Sequence, residues 1–173
     1  MTIAQPEETD RAAYKAGASA LVITVGVILA ALAFEHIGGY APCPLCLQQR
    51  YAYYIGVPLL FIALVFVSAG QRYPAGLIFL FVSLAFLANS VLGVYHAGAE
   101  WGFWPGPDSC AGAQELTTSA GGLLQSLPNT NVIRCDEAAW RFAGLSFAGW
   151  NVVASLVVFG TSLRAAADSV PSD

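Results

Sequence analysis

Four stretches of the chain carry no charged side chain. Gly17 to Phe34 stays apolar up to Glu35 and His36, and Tyr51 to Gly70, Pro74 to Tyr95 and Phe142 to Leu163 are uncharged throughout. None shows the strict alternation of a half-buried strand. About 20 helical residues cover a hydrocarbon core of about 30 Å, so the pattern predicts transmembrane helices at about 17–37, 51–70, 74–95 and 142–163. The fold class expected is an all-α membrane protein, a four-transmembrane-helix bundle making one membrane domain over residues 1–173. Arg11 and Lys15 precede the first run, and Ala31, Leu32 and Ala33 resemble a leader-cleavage site. That run is longer than the roughly 7–15 apolar residues of a secretory leader, so it is read as a span. Pro58 falls inside the second span, where a kink is expected.

Composition agrees with a membrane solvent: 57% of residues are hydrophobic and 10% charged, with a mean hydropathy of +0.62. A net charge of −4 with seven basic residues offers no patch for a nucleic-acid backbone. Four spans place both termini and the turn at 71–75 on one side, and the loops at about 38–50 and 96–141 on the other. All four cysteines fall in those two outer loops, Cys43 and Cys46 in the first and Cys110 and Cys135 in the second. Arg11, Lys15, Arg72 and Arg164 lie on the terminal side against Arg50, Arg134 and Arg141 opposite. By the positive-inside rule the termini are therefore expected in the cytoplasm, with the cysteines in an oxidising compartment. Trp101, Phe103 and Trp104 follow the third span, where aromatic residues suit the membrane interface. Asn89, Ser90 and Asn151 sit at membrane depth and are expected to make interhelical hydrogen bonds.

The segment "CPLC" at 43–46 can be a structural disulfide, half of a zinc site or a redox dithiol. No metal site is expected, because Cys110 and Cys135 are separated by 24 intervening residues and no histidine has ligand spacing. A two-residue loop restrains few chain conformations, so a bond across it contributes little stability and is easily reduced. Cys46 is placed at the start of the second helix, where the dipole favours a thiolate, and Arg50 lies one turn on along the same face. The chain has no haem, iron–sulfur or dinucleotide motif to take electrons. A quinone dissolved in the bilayer is then the expected acceptor, with Arg50 bonding its carbonyl.

"CPLCLQQR", "GVYHAG", the two separated loop cysteines and the four-span plan together resemble the disulfide bond formation protein B family of bacterial inner membranes. The resemblance covers about Gly17 to Leu163. It implies an enzyme, a protein-disulfide:quinone oxidoreductase, that reoxidises a periplasmic thioredoxin-like thiol oxidase and passes the electrons to ubiquinone or menaquinone. By position it makes Cys110 the target of the partner's thiolate and Cys135 its intramolecular partner. Cys43 and Cys46 then re-form the outer bond, with Cys46 facing the quinone. Arg50 and His96 are the remaining quinone-binding candidates, His96 donating a hydrogen bond or relaying a proton. Gln49 stands where some relatives carry a carboxylate, and His36 beside Glu35 is read as a solvated span end. Residues 115–127 could hold a short interfacial helix. Two other readings are a vitamin K epoxide reductase-like enzyme, whose active pair is expected near a late span, and a non-enzymatic tetraspan scaffold stapled by disulfides.

Overall fold

The computed structural model describes residues 6–107 and 135–170. Among them are four long helices: α1 (Pro6–His36), α2 (Pro44–Ser68), α3 (Arg72–Glu100) and α4 (Phe147–Ser169). All four are long and apolar enough to cross a membrane. Each packs on its chain neighbours and α4 closes back on α1, so the helices run up and down around a ring while α2 and α4 barely touch across it.

The helices are longer than the uncharged runs. α1 starts in the polar N-terminal segment, because Ala12, Ala13 and Ala16 continue the helical pattern there. α2 begins at Pro44, and Cys43 is its N-cap: the Cys43 sulfur accepts the Cys46 backbone N–H at 3.2 Å, while proline at the first helical position gives up an N–H that has no partner anyway. The helix continues through Pro58. Its connection to α3 is a tight turn in which Gly70 takes φ +71°, and Arg72 pairs with Asp10 of α1 at 2.6 Å. The fourth run does not start as helix. Arg141–Phe142 (β1) and Leu145–Ser146 (β2) pair as a minimal antiparallel hairpin, Arg141 opposite Ser146. Both turn residues have positive φ, Ala143 at 51° and Gly144 at 82°, the geometry a two-residue hairpin needs. Ser146 then caps α4 by accepting the Gly149 N–H.

The bundle centre is mainly apolar. Leu60, Phe79, Val82, Phe86 and Val158 are fully buried and belong to one cluster that also takes in Ala20, Ala63 and Ala165. Small residues let the helices meet: a Cβ on Gly56 would fall 2.8 Å from Phe86 Cε2, and one on Gly17 2.5 Å from Phe79 Cζ. The outer faces remain apolar, with Val22, Leu29, Phe61, Phe81, Val91 and Leu156 exposed, which suits helices solvated by lipid rather than water. Thr24, Ser68 and Ser169 return their hydroxyls to the carbonyl four residues back.

Towards the end of the bundle where α2 begins, a polar knot joins three helices. Tyr53 donates to Asn151 Oδ1 at 2.7 Å, and Asn89 donates to Ser155 at 3.0 Å and to Asn151 Oδ1 at 3.4 Å. Asn89 and Asn151 thus make the interhelical bonds expected of them. Past α3, Trp104 donates its indole N–H to the Tyr95 carbonyl and stacks on the Tyr95 ring, while Trp101 and Phe103 stay exposed.

Candidate functional site

The cap at the start of α2 determines where the dithiol sits. Because Cys43 is the N-cap and Cys46 the third helical residue, their sulfurs fall on one side of the first turn, 2.8 Å apart, both as free thiols. The Cys43 thiol is pulled down to about 4: its hydrogen bond with Cys46 is the largest cause, burial opposes it, and His96 and the Cys46 backbone N–H add to it. Either sulfur can donate in the neutral pair, but once Cys43 ionises the shared proton belongs to Cys46. The sequence reading expects the thiolate at Cys46, and the geometry gives the backbone N–H of the helix start to Cys43. The helix start acts on Cys43, the cap itself, rather than on Cys46.

His96, buried near the end of α3, closes over the pair. Its Nε2 lies 3.5 Å from Cys43 Sγ and 3.7 Å from Glu100 Oε1, and its Nδ1 lies 3.0 Å from the Gln49 amide. Glu100, one turn beyond His96, also accepts a hydrogen bond from Ser146, the α4 cap. A polar chain therefore runs from the α4 cap through α3 to the dithiol. Arg50 lies four residues after Cys46, and its guanidinium is bound by Glu35 at the end of α1. His36 beside it is exposed.

Cys43, Cys46, Arg50 and His96 share the wall of one cavity of about 470 Å³ between α1, α2 and α4. Gln49, Glu35, Glu100, Tyr53 and Asn151 reach it too. The opposite wall is aromatic: Phe34, Tyr40, Trp140 and Phe147 pack ring against ring, with centroids 5.0 to 6.1 Å apart. An apolar slot with a few polar groups at one end can hold a planar, lipid-soluble molecule with hydrogen-bond acceptors.

Cys135 is buried, disulfide-bonded and packed in one cluster with Cys43 and Leu45, against which Cys46 and Leu92 also rest. Cys110 and the segment 115–127 lie outside the described residues. Glu35, Gln49 and Glu100 as site residues were not foreseen. The available signal for Glu35 was a carboxylate closing an apolar run opposite Arg50, and for Glu100 a carboxylate four residues after His96.

The family described as "Disulfide bond formation protein DsbB" matches residues 15–165 of the chain. Among similar proteins, the disulfide bond formation protein B of Azoarcus sp. is 33% identical over 143 residues, 76% of this chain and 76% of that one. The protein of the same name from Nitrosomonas eutropha is 32% identical, covering 74% of this chain and 78% of its own. That from Paracidovorax citrulli is 29% identical, covering 84% and 86%. No solved structure matches the chain.

Proposed function

The chain belongs to the DsbB family of disulfide bond formation proteins, and on that premise we propose that it reoxidises a thioredoxin-like thiol oxidase and passes the electrons to a membrane quinone. The observation that carries this reading is the continuity of its thiols: Cys135 and Cys43 are buried in one cluster, and Cys43 and Cys46 open onto the cavity. Electrons entering from a soluble partner at the outer loop then have a sulfur path to a slot facing lipid.

The exchange balances as follows. The partner's dithiol becomes a disulfide by reducing the outer bond of Cys110 and Cys135 to two thiols. The outer bond re-forms by reducing a Cys43–Cys46 disulfide, leaving the inner pair as the dithiol. A quinone in the cavity supplies the final acceptor of two electrons and two protons, becoming a quinol. Cys43, which lies beside Cys135, is the inner sulfur that a thiolate of the reduced outer pair attacks, and its low thiol pKa makes it a good leaving group once the inner bond opens. Cys46 presents its sulfur to the cavity. Arg50 spends one N–H on Glu35 and retains others in its fork for a carbonyl oxygen. His96, close to both sulfurs of the pair, carries the proton that the reduced pair retains towards the slot. Ubiquinone and menaquinone both suit a slot of this size and lining. On this reading the chain sits in the bacterial inner membrane with its termini in the cytoplasm and its cysteines in the periplasm, an orientation that the distribution of basic residues supports.

Purified protein given a reduced thioredoxin-like oxidase and a soluble quinone is expected to consume the quinone absorbance, and Cys46→Ser to abolish this. Quinone consumption that persists in Cys46→Ser, or that never begins in the parent chain, refutes the reading.

A further inference from the structure

Spacing along the chain spoke against a metal, since no histidine follows the cysteines at ligand distance. The fold supplies that histidine from another helix. Cys43 Sγ, Cys46 Sγ and a ring nitrogen of His96 all lie within 4.8 Å of one another. Zinc binds thiolate at about 2.3 Å and imidazole at about 2.0–2.1 Å, so a sulfur and a nitrogen on one tetrahedral ion stand about 3.5 Å apart. Cys43 and His96 Nε2 are 3.5 Å apart. The two sulfurs, at 2.8 Å, would open by about 1 Å to reach a tetrahedral edge, a displacement within the range of a side-chain rotation at half-buried Cys46.

From this geometry we propose that the reduced inner pair, with His96, forms a Cys2His site for a zinc ion whose fourth position faces the cavity. On binding, the proton that the reduced pair still holds goes to solvent, the two thiolates neutralise the ion, and no electron moves. The surroundings fit. Gln49 lies 3.0 Å from His96 Nδ1, and with its amide oxygen turned to that nitrogen it accepts the Nδ1–H and leaves Nε2 bare for the metal. Glu100, 3.7 Å from Nε2, supplies a carboxylate oxygen beside the fourth position. A Cys43–Cys46 disulfide has no thiolate to offer, so the site exists only in the reduced state. Its consequence for turnover rests on the function proposed above: zinc holds the inner pair reduced and blocks electron flow until it is removed.

The test uses the full chain in detergent carrying Cys110→Ser and Cys135→Ser, so that Cys43 and Cys46 are the remaining thiols. Reduced protein is titrated with zinc against a chromogenic chelator. One ion per chain is expected, none after the pair is oxidised, a loss of tenfold or more in affinity for His96→Ala, and a loss of about tenfold for Gln49→Leu. X-ray absorption at the zinc edge of the unsubstituted-His96 protein should show two sulfurs and at least one imidazole nitrogen, which does not depend on any His96 variant folding. Absence of binding, unchanged affinity in His96→Ala, or a sulfur-only shell overturns the inference. A chain that reduces quinone in zinc-free buffer yet binds no zinc sinks this inference and leaves the oxidoreductase reading standing.

Discussion

Replacing Cys46 by alanine isolates what the neighbouring thiol does to Cys43. In the parent the Cys43 sulfur takes three contacts: the Cys46 thiol at 2.8 Å, the Cys46 backbone N–H at 3.2 Å and His96 at 3.5 Å. Alanine removes the first and keeps the second, because the helix cap uses backbone. A hydrogen bond to a charged group is worth about 1.5–3 kcal/mol, and one pKa unit is about 1.36 kcal/mol, so the loss corresponds to about one to two units. Cys43 should therefore move from about 4 up to about 5–6. The assay is thiolate absorbance in the ultraviolet against pH, on reduced protein with Cys110→Ser and Cys135→Ser and a chelator present. In the parent the thiolate should survive as pH is lowered through 7 and vanish only near 4. The sign for stability follows. Since the folded value lies below that of a free thiol, about 8.5, this thiolate stabilises the reduced fold fully above that pH. The contribution shrinks below it and is gone once pH falls past the folded value. A parent Cys43 that titrates near 8.5, or a Cys46→Ala curve that overlays the parent's, would refute the reasoning.

Other perturbations test the scaffold around the site. Gly56→Ala drives a methyl to 2.8 Å from Phe86 in the closed core and should cost about 1–3 kcal/mol, read as a lower thermal midpoint in detergent. Tyr53→Phe leaves Asn151 Oδ1 without its 2.7 Å donor and should cost about 0.6–1.5 kcal/mol in denaturant unfolding, with the helix content unchanged. Gly98→Ala puts a Cβ 2.1 Å from the Trp104 ring. Because Trp104 is partly exposed, the ring should swing off Tyr95 at the cost of about one hydrogen bond, 0.5–1.5 kcal/mol, seen as a shift in tryptophan emission.

The four spans could be read from the sequence because lipid demands uncharged helices of one length, and that constraint acts on every residue of Tyr51 to Gly70 alike. The ends could be read only in part. The start of α2 near Cys46 was legible, but that Cys43 caps it was not, because cysteine is not a usual capping residue. The hairpin at 141–146 was hidden by Phe142 and Leu145, which fit an apolar run as well as they fit strands. In the site, Cys43, Cys46, Arg50 and His96 were legible from motif and position. Their partners were not. Glu35 meets Arg50 only once α1 lies beside α2, and Gln49 meets His96 only once α2 lies beside α3. Such pairs carry no signature along the chain, because what selects them is the rotation of one helix against another.

The closed interior built by Leu60, Phe79, Phe86 and Val158 has an electrical meaning. It is a slab of low permittivity below the thiols, and among the described residues that cluster holds no Asp, Glu, His, Lys or Arg to carry a proton through it. Chemistry confined to the far rim displaces no charge across the thickness of the bilayer. On the function proposed above, the voltage between the two aqueous phases then has nothing to pull on, and the free energy of turnover is set by the difference in potential between sulfur and its acceptor alone.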